Sequence, residues 1–257
     1  MAVAGMLSDR QLLRYSRQLL MPDFDIQGQE QLLGATVLIV GLGGLGSPAA
    51  LYLAAAGVGG IVLADGDAVE LSNLQRQIAH GESDVGRNKA VSAATALDAL
   101  NSEVVVEVVD KNLTDADLPG LLARVDLVVD ASDNYPIRFA LNRACIQAAV
   151  PLVSAAAVRG EGQISLFEPA QGGPCYRCLY HDSGSETAQS CAQSGVLAPV
   201  VGVLGSLLAM EAIKRLSGYG ESLRGSLMVV DLSTMEFRKL QLSRRPDCPD
   251  CGHLPRA

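Results

Sequence analysis

The 257-residue sequence is short of positive charge: 20 lysines and arginines stand against 28 aspartates and glutamates, a formal net charge of -8. That balance makes a nucleic acid or an anionic membrane surface a poor partner. Low-complexity blocks and internal repeats are also missing, and 49% of the residues are hydrophobic, so the chain does not read as disordered. Its length suits one large α/β domain with a substantial core. An export signal is lacking as well, because the apolar start of MAVAGMLSDRQLLRYSRQ is short and soon charged. Six cysteines without such a signal point to reduced thiols or metal ligands rather than disulfides, and to the cytoplasm.

Charge is absent from Thr36 through Ala64, and hydropathy alone would make this stretch a membrane span. Its glycines exclude that. A β-branched run, Val37 to Val40, fits one buried strand, and Gly41, Gly43 and Gly46 follow in the G-x-G-x-x-G pattern with an extra Gly44. A small-residue helix from Pro48 to Ala56 leads to a second strand, Ile61 to Ala64, ending at Asp65. The pattern is a β-α-β nucleotide-binding unit: the glycines allow a tight turn and close phosphate approach, the helix N-terminus offers N–H groups to an anion, and the acid reaches a ribose hydroxyl. It serves NAD in hydride-transfer enzymes and ATP in some adenylating ones.

Ahead of this unit, Ser8-Asp9 caps a helix whose stripe is Leu12, Leu13, Leu19 and Leu20, leaving Arg14 and Arg17 as surface cations or as site residues. After Asp65, the run GDAVELSNLQRQIAH has no periodicity and lies over the C-terminal edge of the sheet, where Asn73, Gln75, Arg76 and Gln77 supply donors. Lys89 opens the next helix, a cation against the positive end of a dipole, which suggests a nearby anion; the plain alternative is a surface lysine. Thr114 to Arg124 reads as a helix. The strand Asp126–Asp130 ends at Ala131-Ser132-Asp133-Asn134, where Asp133 either holds Mg²⁺ on a triphosphate or caps the helix starting near Tyr135. Strands 151–158 and 162–167, joined through Arg159-Gly160-Glu161, break the β-α alternation and predict an antiparallel end to a mixed sheet.

Two C-x-x-C pairs, Cys175/Cys178 and Cys248/Cys251, form a set of four thiolates suited to a closed, structural Zn²⁺ site, ahead of a redox-active pair or idle thiols. Cys191 stands outside that set as either a nucleophile or an unpaired thiol, with no cation beside it to lower its pKa.

Taken together, RYSRQ, GLGGLGS, SNLQRQ, Lys89, DASDN, CYRC with CPDC, and GVLAPVVGVLGSLLAMEAIK resemble the ubiquitin-activating-like adenylyltransferase family (HesA/MoeB/ThiF) from Leu12 to Gly252. The resemblance implies one adenylation domain: N-terminal helices over 8–34, a nucleotide-binding core over 35–158, and antiparallel strands, a carrier-binding loop and a zinc tail over 159–257. No sulfur-transfer domain follows the tail, so the short form is expected. The family implies a Rossmann-like, mixed and mostly parallel sheet, a homodimer, ATP with Mg²⁺, and a small ubiquitin-like sulfur carrier (MoaD-like or ThiS-like) whose C-terminal Gly-Gly carboxylate is adenylated. Gly44, Asp65, Asn73, Arg76, Lys89, Asp133 and Asn134 match its ATP positions, within the glycine loop Gly41, Gly43 and Gly46 and the run Ser72, Leu74 and Gln75. Arg17 matches an arginine that acts in trans across the dimer, and Cys191 matches a nucleophile that some members use. Ser132 stands where some members carry Thr. An NAD-dependent oxidoreductase is the rival from another reaction class.

Overall fold

A computed structural model describes residues 7–180 and 195–255. Five strands, β1 (Thr36–Val40), β2 (Gly60–Ala64), β3 (Val105–Val109), β4 (Leu127–Asp130) and β5 (Leu152–Val158), pair in parallel. Then β6 (Glu161–Phe167), β7 (Ser226–Asp231) and β8 (Glu236–Gln241) join antiparallel, in one eight-stranded sheet of order β3-β2-β1-β4-β5-β6-β7-β8. This is the mixed sheet expected of the pattern, with the reversal at the β5–β6 hairpin where Arg159 takes a positive φ of 56°.

Alternation along β1 divides the core. Val37 and Ile39 face a layer built from α4 (Gly46–Ala56), α5 (Lys89–Leu100) and the long helix near the C-terminus, while Leu38 and Val40 face a layer with Phe139 and Tyr176. The remaining helices in chain order are α1 (Asp9–Arg14), α2 (Ser16–Leu19), α3 (Asp25–Gly34), α6 (Leu118–Leu122), α7 (Tyr135–Ala148), α8 (Tyr176–Leu179) and α9 (Ala198–Ser217), the last being the long C-terminal helix. Because β1 pairs β2 on one side and β4 on the other, connections leave in opposite directions and open a crevice at the C-terminal ends of these strands.

Two local expectations are corrected. Ser8 caps α1 in a capping box with Gln11, as its sequence implies, but the helix breaks at Tyr15 and the leucine stripe is not buried: Leu13 is 78% and Leu20 72% exposed. Tyr15 is the buried residue there, its hydroxyl 3.0 Å from Asn101 Nδ2. The helix expected over 114–124 shrinks to α6, because Asp117 turns back to accept from the Thr114 N–H and hydroxyl and Pro119 starts the helix after it.

Candidate active site

The glycine loop turns sharply out of β1. Gly41 has φ +90°, and a Cβ there would lie 2.8 Å from the Ala131 carbonyl; a Cβ on Gly46 would lie 1.8 Å from the Gly41 carbonyl. Only glycine fits either place. The turn borders a cavity of about 1150 Å³, whose wall includes Gly41, Gly43 and Gly44.

Asp65 sits just past β2. One carboxylate oxygen accepts from Leu42 N (2.7 Å) and the other from Asp67 N (2.9 Å); burial raises its pKa, opposed by these two N–H groups. Asn88 caps α5 and donates to the Asp65 carbonyl at 2.8 Å, so the start of α5 is pinned to the Asp65 turn. That brings Lys89, 8% exposed, to 2.8 Å from the Asp67 carboxylate. Beneath the glycine loop, His80 reaches Leu42 O (3.0 Å) and Ser92 Oγ (2.9 Å), and burial pulls its pKa down.

The 70–80 turn supplies the opposite part of the wall. Asn73 Oδ1 accepts from Glu70 N at 3.1 Å, and Arg76 Nη1 donates to Ser72 O at 3.1 Å. At the end of β4, Asp130 is fully buried and accepts from Ser132 Oγ (2.5 Å) and Ser154 Oγ (2.7 Å), while Arg138 donates to the Ser132 and Ala155 carbonyls. This scaffold leaves Asp133 and Asn134 exposed on the cavity wall. The helix cap is Asn134, which accepts from Ile137 N at 3.2 Å, so capping does not occupy Asp133.

On the far side of α7, Cys175, Cys178, Cys248 and Cys251 are all buried, and their sulfurs lie within 4.8 Å of one another. Sγ separations of 3.9, 3.6 and 3.5 Å compare with about 3.8 Å between thiolates on a tetrahedral ion at zinc–sulfur distances. A hydrogen bond from Cys175, and behind it the Arg245 N–H, pull the Cys178 thiol down against the opposing effect of burial. Asn142 of α7 braces the cluster: its Oδ1 accepts from Tyr176 N at 2.8 Å and its Nδ2 donates to Asp250 at 2.8 Å.

Residues 15–250 match the ThiF family. The chain belongs to that family. It is 50% identical over 246 residues to the molybdopterin-synthase adenylyltransferase of Escherichia coli K12, covering 96% of this chain and 98% of the relative. Its identity to the sulfur carrier protein ThiS adenylyltransferase of the same organism is 46% over 246 residues, with 96% and 97% covered. A crystal structure of Escherichia coli MccB with ATP superposes with a TM-score of 0.82 at 29% identity, covering 93% of this chain and 73% of that one.

Of the ThiF-type residues expected from sequence, the cavity wall gathers Gly41, Gly43, Gly44, Asp65, Asn73, Arg76, Lys89, Asp133 and Asn134. Gly46 lies behind the turn as the packing glycine, and Ser72, Leu74 and Gln75 lie off the wall. Arg17 is exposed on α2, away from the cavity, and has no hydrogen bond or ion pair to another described residue. Cys191 lies outside the described residues. Sequence reasoning missed Asp67 as the anion facing Lys89, and Asp130 with Arg138 as the support of Asp133. The burial of Asp130 was signalled by DLVVD, a strand whose last residue continues an apolar run.

Proposed function

We propose that this ThiF-family chain adenylates the C-terminal Gly-Gly carboxylate of a small ubiquitin-like sulfur carrier, using ATP and releasing pyrophosphate. The observation that carries the reading is the convergence of Lys89, Arg76, Asp133 and an open glycine loop on one cavity. Two cations and a carboxylate beside a glycine loop suit a metal-bound triphosphate better than a nicotinamide dinucleotide. The adenylyltransferase names of both bacterial relatives favour the same side over the oxidoreductase.

In the proposed reaction a carrier carboxylate oxygen attacks the α-phosphorus, the bond from that phosphorus to the α,β-bridging oxygen breaks, and an acyl adenylate forms as pyrophosphate leaves with the bridging oxygen. A C-terminal carboxylate is ionised at neutral pH, so the step needs no general base, only in-line placement and charge neutralisation. Lys89 and Arg76 would neutralise the triphosphate, and Asp65 would hold the ribose hydroxyls. Mg²⁺ at Asp133 would add charge to the same end. Arg17, exposed and unpaired within its own subunit among the described residues, would act in trans on the leaving pyrophosphate in a homodimer. Cys191 is proposed only as an acceptor of the activated acyl group. Zn²⁺ fits the four buried thiolates as a structural ion, and a free-thiol set of this kind suits the cytoplasm.

Mass spectrometry after mixing the protein with ATP, Mg²⁺ and a Gly-Gly-ended carrier tests the reading. The expected product is a carrier bearing one adenylyl group. A carrier of unchanged mass across MoaD-like and ThiS-like candidates, with pyrophosphatase present to pull the reaction forward, contradicts it.

A further inference from the structure

Gln77 follows Arg76 on the cavity wall. It is 4% exposed, and its Oε1 is buried with no hydrogen-bond partner. Its Nε2 makes no hydrogen bond to another described residue; it lies against the open face of the glycine loop, where a Cβ placed on Gly43 would sit 3.6 Å away. The backbone on either side is fixed, with Gln77 N donating to Asn73 O (3.0 Å) and His80 N donating to Gln77 O (3.1 Å). Its neighbours on the wall contrast with it, since Asn73 and Arg76 both have partners within the chain. A buried carboxamide left unpaired is costly, and turning it by 180° exchanges oxygen and nitrogen without pairing either.

We propose that Gln77 is a nucleotide-binding residue, its carboxamide N–H donating to a phosphoryl oxygen of the triphosphate where it passes Gly43. The proposal rests on the adenylation reading for the identity of the ligand. Phosphoryl oxygens only accept, so they pair with the amide nitrogen, the atom that faces Gly43. The phosphate end is favoured over the nucleoside end because Gly43 stands at the N-terminal approach to α4, where anions gather, whereas Asp65 marks the β2 side. Arg76, the preceding residue, brings a guanidinium to the same wall.

Calorimetric titration of the full chain with α,β-methylene-ATP and with adenosine tests this. Gln77→Ala is expected to weaken the analogue about tenfold and to leave adenosine within about twofold, as for one lost hydrogen bond to a charged acceptor. Gln77→Glu, which keeps the side-chain volume, is expected to weaken the analogue further by repulsion. Undiminished affinity of Gln77→Ala for the analogue, or a parallel loss for adenosine, overturns the proposal. Should Gln77→Ala not fold, Gln77→Glu carries the test, and failure of both to fold assigns the residue to structure and also overturns it. A wild-type protein that binds neither ligand overturns the adenylation reading and this inference with it; a defect confined to the variants leaves the former standing.

Discussion

Lys89 Nζ lies 2.8 Å from Asp67 Oδ2, with the lysine side chain 10% exposed and the aspartate 65% exposed. The pair explains how a cation is held at the N-terminus of α5 against the helix dipole: the anion that its position calls for is already on the chain. An ion pair open to solvent on one side is weak, so its carboxylate is easily exchanged for a better one. Both residues line the cavity, and a triphosphate entering there competes with Asp67 for the same ammonium.

Lys89→Ala should therefore lower carrier-dependent turnover by roughly a hundredfold or more, the scale of losing one pre-placed charge at a transition state. Asp67→Asn should do the opposite at the binding step and lower the KM for ATP, since it frees the lysine. Steady-state kinetics on the two variants checks both. A raised KM in Asp67→Asn would mean that Asp67 itself contributes to binding.

Asp130 and Asp133, three residues apart, should separate stability from activity. Asp130 is fully buried and 3.9 Å from the Arg138 guanidinium, so Asp130→Ala leaves an uncompensated buried cation and should cost about 3–5 kcal/mol in denaturant unfolding. Asp133 is exposed, with a single 3.4 Å contact from Asn134 Nδ2, so Asp133→Ala should remove adenylation while the unfolding midpoint stays near wild type. Equal destabilisation by the two would contradict this division.

That contrast marks how much was legible in the sequence. The glycine loop, the switch to antiparallel pairing after Val158 and the four-cysteine set follow from local pattern, because turn sterics, hairpin length and C-x-x-C spacing are short-range. The partner of Lys89 lies 22 residues away, and the support of Asp133 comes from Ser154 on a neighbouring strand, so neither has a local signature. The cap at Asn134 rather than Asp133 turns on one residue of register that Asp and Asn fit equally well by type. The exposed stripe of Leu13 and Leu20 shows periodicity without burial inside one subunit; Tyr15 breaks the helix and takes the core position.

His80 gives a pH prediction. Burial first, and also the nearby Lys89 ammonium, lower its pKa below 6.5, opposed by the Leu42 carbonyl and by Asp84 and Asp65. The unfolded chain then takes up the proton before the folded one. This contribution to stability is fully present above pH 6.5 and is lost as pH falls through the lowered value. His80→Gln should flatten the decline in unfolding free energy on the acid side of pH 6.5. Parallel pH profiles for the two proteins would contradict the assignment.

The cysteine cluster should carry one zinc per chain by elemental analysis, and Cys248→Ser should abolish it. Because Asn142 ties α7 to both Tyr176 and Asp250, loss of the metal should lower the melting temperature and loosen the 244–255 tail to proteolysis. A metal-free protein with an unchanged melting temperature would contradict a structural ion.

The central claim is tested most directly by ATP–pyrophosphate exchange, run on the protein alone, with a Gly-Gly-ended carrier, and with the same carrier lacking its last glycine. The account predicts exchange only with the intact carrier, and whether a MoaD-like or a ThiS-like carrier responds identifies the pathway. Exchange that ignores the carrier's terminus, or none with any carrier alongside saturable NAD binding, would contradict it.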